Sequence, residues 1–142
     1  MDYQTQPQPT TNLFQTDPVV YGTFWERFAA AFIDGIILII PNYLLTYSLG
    51  EVTGNLGAVV IGWLYGAVQE SGASQATIGK KALGLKVTTM DGQPITFMQA
   101  TGRHFGKYIS AVILLIGYFM MLWDEKKQTL HDKMASTLVV KK

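Results

Sequence analysis

Three apolar runs separated by polar stretches organise this chain. The first extends from about Phe24 to Leu49 and follows Thr23-Phe-Trp-Glu26, which has the spacing of a capping box. In that box the threonine hydroxyl accepts from the amide three residues on and the glutamate reaches back, so a helix is predicted to start there. About 22 apolar-rich residues give roughly 33 Å at 1.5 Å per residue, long enough to cross a bilayer. Phe24, Trp25 and Phe28 near its start, and Tyr43 and Tyr47 near its end, suit headgroup-level aromatic belts. Pro41 removes one backbone bond and should kink the helix, with Asn42 beside it to satisfy a freed group.

Between Glu51 and Glu70 a second uncharged stretch of about 18 residues is just long enough to cross. Gly54, Ala58, Gly62 and Gly66 recur every fourth residue along it. Such a small-residue row lets another helix approach closely, and packing against the first helix is the expected use. The short connection makes the two helices an antiparallel hairpin.

Residues 71 to 104 are polar and carry Lys80, Lys81, Lys86 and Arg103 with Asp91 as the lone acid, which reads as a cytoplasmic loop. Within it Leu83 to Met90 alternates imperfectly and Asp91-Gly92 is a turn signal, so a small β-hairpin running to Phe97 is predicted. Thr96-Phe-Met-Gln99 repeats the capping-box spacing and starts a helix through Arg103, His104 and Lys107. The third apolar run, Tyr108 to Trp123, has only about 16 uncharged residues, between a span and a re-entrant segment. Basic residues on both flanks argue for a hairpin near Gly117, whereas the lack of a stronger breaker argues for a full span with Lys107 snorkelling. The second reading is narrowly preferred.

Composition fits this pattern. Apolar residues make up 49% of the 142 and charged residues 15%, against roughly 25% charged in soluble domains. A net charge of +1 gives no global field for nucleic acid. The absence of cysteine excludes disulfides, thiol catalysis and zinc–thiolate sites. Residues 1–20 form a Pro- and Gln-rich tail that cannot bury enough apolar area to fold alone. No basic region precedes the first run and no small-residue cleavage pattern follows it, so it reads as a retained span.

The unusual group is Asp34, a carboxylate inside the first apolar run, where it costs roughly 2.5–3.5 kcal/mol on insertion scales. Arg27 lies seven residues earlier. Seven steps of 100° put the two on one face but about 10 Å apart along the axis. Because side chains lean towards the helix N-terminus, Arg27 points away and Asp34 needs a partner from another segment. As a functional group Asp34 would take a proton or cation; as a structural group it would anchor helix packing. Gly79-Lys80 fails the phosphate-loop pattern, since Gly72 is too far upstream and Lys81 stands where a hydroxyl is needed, and reads as a surface turn. His131 and Asp132 are adjacent and not expected to share a useful face, and His104 is distant, so no metal site or other cofactor is expected. No serine has a base partner, which argues against an enzyme.

The closing segment, Asp124 to Val140, is polar and then β-branched, and its end could pair with Leu85 to Thr89. That pairing would bring Asp132 towards Arg27 and would require the hairpin reading of the third run. The arrangement of Arg27 at the first helix N-terminus, Asp34 within it, and Asp132 in Thr129-Leu-His-Asp132 resembles the RDD family, named for one arginine and two aspartates. Thr77-Ile-Gly79-Lys80, Leu85-Lys-Val87 and Asp91-Gly92 are similar to its loop pattern, with Ile78 and Ser136 as departures. The resemblance runs from about Tyr21 to Val140 and implies a multi-pass membrane protein with a suspected transport role and a cytoplasmic C-terminus gathered near Arg27.

The expectation is an all-α membrane domain over residues 21–142, with spans at about 24–49 and 53–70, a third membrane segment at 105–123, and a small cytoplasmic hairpin. Two functions follow. In one the protein is a small transporter or ion–proton exchange component of the cell membrane, with Asp34 taking the ion, Arg27 tuning it and Asp132 gating. In the other it is a non-transporting scaffold or assembly factor in which the same trio is structural. The expected partners are the lipid bilayer, further copies of the chain as a homo-oligomer, and a small ion or ligand, with no nucleic acid.

Overall fold

A computed structural model describes residues 18–113 and 116–142; the tail expected at the N-terminus falls almost wholly outside them. Helix α1 (Phe24–Leu49) begins at the Thr23–Glu26 capping box, with Glu26 accepting from the Thr23 amide at 2.9 Å. Pro41 is accommodated within it. The Asn42 side chain adds no acceptor contact there, and its Oδ1 is buried without a partner among the described residues. Helix α2 (Glu51–Ser71) follows directly after Gly50, whose φ of 81° suits a residue without a side chain at the reversal. The two helices pack together as a hairpin, closest where Gly54 lies on the backbone of Thr46.

The polar loop then folds onto this hairpin. It holds α3 (Ile78–Ala82) where a simple turn was expected at Gly79-Lys80, then strand β1 (Leu85–Thr89). The Asp91-Gly92 turn forms, with the Thr89 amide donating to Gln93 O at 2.8 Å and one bridge from Thr88 to Pro94. The predicted hairpin stops there. Strand β1 instead pairs antiparallel with β2 (Thr137–Lys141), in the register Val87 to Val139. Pro94 cannot donate to a ladder, and the β-branched C-terminal segment supplies the better partner. The fold is therefore mostly helical with a small two-stranded sheet, and the expected small β element forms with a different second strand.

Helix α4 (Phe97–Val112) starts at the second capping box, Thr96–Gln99. The third apolar run is not one straight helix: α5 (Ile116–Phe119) and a 3₁₀ turn (Met120–Leu122) lie at 116° to α4. Gly117 packs so tightly on Ser110 that a Cβ would sit 2.8 Å from the serine Cβ, which is how the chain folds back. Helix α6 (Leu130–Met134) leads into β2. Through β2 the chain closes on its beginning, because the Gly22 amide donates to Val139 O at 2.9 Å and the Lys141 ammonium meets Glu26 at 2.6 Å. The start of α1, the loop, α6 and the C-terminus thus gather at one end as a cap.

The core lies under this cap, where Leu85, Val87 and Val139 of the sheet meet Ala30, Ala67 and Ala100 of the helices. Away from it the apolar surface is bare. Among the described residues α1 is the helix long and apolar enough to cross a membrane, and only 6% of its most apolar stretch is buried. Phe32, Ile36, Ile39, Ile40 and Leu44 are all exposed. Helix α2 has the length but is less apolar, and α4 with the turn after it reaches that standard only as a bent pair.

Candidate functional site

Each member of the predicted trio has partners, in two separate arrangements. Asp34 accepts three hydrogen bonds, all from uncharged groups: the Tyr65 hydroxyl at 2.7 Å, the Thr77 hydroxyl at 2.6 Å and the Gly79 amide at 2.8 Å. Thr77 caps α3, so the carboxylate of α1 sits against the first turn of that short helix. The approach depends on Gly79, where any Cβ would overlap the Ala30 carbonyl and lie 2.9 Å from the Asp34 carboxyl carbon. The expectation that Arg27 does not neutralise Asp34 directly matches this geometry.

Arg27 turns the other way. One guanidinium nitrogen pairs with Asp132 Oδ2 and the other donates to Lys127 O at 2.8 Å. Asp132 is the third residue of α6 and also accepts from the Thr129 amide at 3.0 Å, so it caps its own helix while holding Arg27. Its other oxygen pairs with Arg103 of α4. Arg103 is 1% exposed and its remaining donors reach Thr137 Oγ1 at 2.6 Å and Glu70 at 3.1 Å. Glu70, at the end of α2, pairs in turn with Lys80 of α3. The chain Arg27–Asp132–Arg103–Glu70–Lys80 thus ties together α1, α6, α4, α2 and α3.

Charges buried this deeply persist only when paired and hydrogen-bonded. Burial alone would raise the Asp132 carboxyl, but Arg103 and Arg27 overcome it and hold the group far below the usual carboxylate range. His131 lies beside it after all, with Nε2 3.8 Å from Asp132 Oδ1. Its pKa is pushed down to about 3, first by burial and then by Arg103, Lys107 and Arg27, against the pull of Asp132. The neighbours fit a neutral ring: Ser110 Oγ gives its proton to Gly106 O and stands 3.3 Å from Nδ1, leaving Nε2 to accept from Thr129 Oγ1 at 3.0 Å.

Between α1, α3, α4 and α5 these groups border a cavity of about 480 Å³. Arg27, Asp34, Lys80, Arg103 and Lys107 all reach its wall. The small-residue row of α2 divides its contacts. Gly54 meets α1, Gly62 comes nearest His104 of α4 at 4.0 Å, Gly66 has nothing within 4 Å, and Ala58 is half-buried. Among the described residues no group of His, Asp and Glu is placed to hold a metal ion.

Glu70, Lys80, Arg103, Thr77 and Gly79 were missed as site residues. Glu70 closes an uncharged run and so carried a local signal. Nothing local marks Arg103.

The RDD family profile matches residues 21–136. The chain belongs to the RDD family. It is 35% identical to the uncharacterized protein YxaI of Bacillus subtilis over 84% of this chain and 96% of that one. It is 27% identical to the uncharacterized membrane protein YteJ of the same organism, over 84% of this chain and 80% of the relative. The proline-rich antigen of Mycobacterium leprae is 42% identical over 54% of this chain, a match that spans 30% of the antigen. No solved structure matches.

Proposed function

We propose that this RDD protein is a multi-pass membrane protein in which Arg27, Asp34 and Asp132 act as latches, holding a surface cap onto a membrane-embedded helical hairpin, in the manner of a scaffold or assembly factor. Membership of the family, and the name of the relative YteJ, support a membrane location. So does α1: an apolar helix left bare by its own protein needs another apolar medium. In this reading α1 and α2 cross and return, and the bent α4–α5 segment dips in from the cap side. Lysines of the cap surface, Lys81, Lys86, Lys126 and Lys127 among them, then face the cytoplasm.

The observation that carries the latch reading is the shell of three uncharged donors around Asp34. A carboxylate so engaged holds α3 in place, with three of its roughly four acceptor positions filled by the protein itself. The rival transport reading has one observation in its favour, since Asp34 also borders the cavity. Asp34→Asn separates the two, because an amide oxygen can still accept from Tyr65 and Gly79. We expect the variant to fold with a modest loss of thermal stability and, in proteoliposomes, to leave any pH-dependent cation flux unchanged. A variant that is as stable as the parent but abolishes such a flux overturns the latch reading in favour of ion exchange.

A further inference from the structure

The cavity has one more cation than its acids can match. Arg27, Lys80 and Arg103 share the two carboxylates of Glu70 and Asp132. Asp34 is enclosed by its own three donors. Lys107, on α4, reaches the same wall and forms no ion pair or hydrogen bond among the described residues. Tyr118 of α5 also lines the cavity; its ring packs edge-on against His131 at 5.2 Å, while its hydroxyl has no partner among the described residues. Two donors, one of them charged, therefore line a cavity whose four cations, Arg27, Lys80, Arg103 and Lys107, outnumber the carboxylates of Asp34, Glu70 and Asp132 by one.

Part of the lining is aromatic. Phe24 of α1 stacks on Phe119 of α5 at 5.6 Å, and Phe28 one turn on is exposed, as is Phe119 itself. The cavity thus lies between a cationic inner wall and an aromatic flank beside the first turns of α1. If α1 crosses the membrane, as the proposed function holds, that flank stands at the boundary between headgroups and acyl chains.

We propose that this cavity binds a phosphate-bearing anion, supplied by the headgroup of an anionic phospholipid, with Lys107 and Tyr118 as its donors and the phenylalanine pair against its acyl end. A phosphodiester carries one negative charge and offers acceptors to both groups, and basic pockets between membrane helices are suited to such headgroups. An apolar flank adds binding energy for a lipid that it withholds from free phosphate.

The test uses the full-length protein in a neutral detergent, titrated with short-chain phosphatidylglycerol, short-chain phosphatidylcholine or inorganic phosphate while the melting temperature is followed. Saturable stabilisation of several degrees by phosphatidylglycerol, and none by phosphatidylcholine, is expected. Lys107→Gln should abolish the shift with the lipid-free melting temperature little changed, and Lys107→Arg should keep it. Ala111→Phe, which adds bulk to the cavity wall without altering charge, is a second route to the same loss. An equal shift with inorganic phosphate overturns the lipid source and assigns the site to a soluble anion. Equal shifts with both lipids, or a phosphatidylglycerol shift that survives both Lys107→Gln and Ala111→Phe, overturn the site. Carbonate extraction of cell membranes reads the membrane location separately, so the two proposals fail independently.

Discussion

Gly79 of α3 rests directly on Ala30 of α1, with no room for a side chain between them, and donates its amide to Asp34 at 2.8 Å. A methyl group here would strike backbone rather than a flexible side chain. Gly79→Ala should therefore lift α3 off α1 and strip Asp34 of one or more donors. The expected loss is about 3 kcal/mol or more, combining overpacking with a carboxylate left short of donors. Gly35→Ala on the same helix meets nothing within 4 Å and should be neutral or slightly stabilising. Thermal unfolding of the two variants in one detergent checks the contrast.

Arg103 serves Asp132, Glu70 and Thr137 at once. Arg103→Met leaves both acids short of a partner in a buried setting, and about 3–5 kcal/mol of stability should go with it. Lysine cannot present the same planar fork, so Arg103→Lys should recover only part of the loss. Arg27→Ala and Asp132→Ala should be strongly non-additive, with a coupling of about 1–3 kcal/mol, because either change opens the same latch. A double-mutant cycle on melting temperature measures it.

Acid should loosen the cap in two stages. His131 stays neutral in the fold down to about pH 3, whereas in the unfolded chain it takes up a proton near the ordinary imidazole value of 6.5. The unfolded state thus binds more protons between those limits, and stability falls as pH is lowered through them, by roughly 1.4 kcal/mol per unit. Asp132, held low by Arg103 and Arg27, adds a second loss once the pH drops below the usual carboxylate range. His131→Gln should flatten the dependence between pH 6.5 and 4.5 and make the fall below it shallower, with the Asp132 loss remaining. Melting temperature across that range, parent against variant, decides the point.

The pairing of β1 with β2 can be read directly, since the chain contains no cysteine. Val87 and Val139 face each other in the register, and the Val87 amide bonds outward to Gln75 O, which makes them a closely spaced, non-hydrogen-bonded pair. Val87→Cys with Val139→Cys should cross-link under mild oxidation and raise the mobility of the unreduced band. A pairing slipped by one residue puts the two side chains on opposite faces and gives no cross-link.

Local chemistry made much of this fold legible. Both capping boxes mark their helices, the short link at Gly50 implies the hairpin, and β-branched residues flag β2. The meeting of Arg27 with Asp132 followed from one correct pairing of strands. A straight helix through the third run is not what forms: the chain bends after α4, where Gly117 lets α5 fold back onto Ser110, and a glycine's close approach to a distant side chain leaves no mark in local sequence. His131 was discounted as a neighbour of Asp132, yet a five-residue helix enclosed on several sides buries both. The Glu70–Arg103 link escaped entirely, since contacts 33 residues apart leave no periodic trace.

The closure of β2 on the segment before α1 has a consequence for biosynthesis. Arg27 is among the first residues of the domain to be made, but its acid is Asp132, 105 residues later, and the strand that secures that acid ends at Lys141. Until α6 and β2 have been made, Arg27 lacks its acid and Arg103 has only Glu70, so the cap seals after every other helix is in place. Removing β2 would leave Asp132 in the chain but take away Thr137, which Arg103 also holds, and the strand that meets both Val87 and Gly22. The ion pair at the start of α1 is thus framed by a sheet whose second strand is made more than 100 residues later.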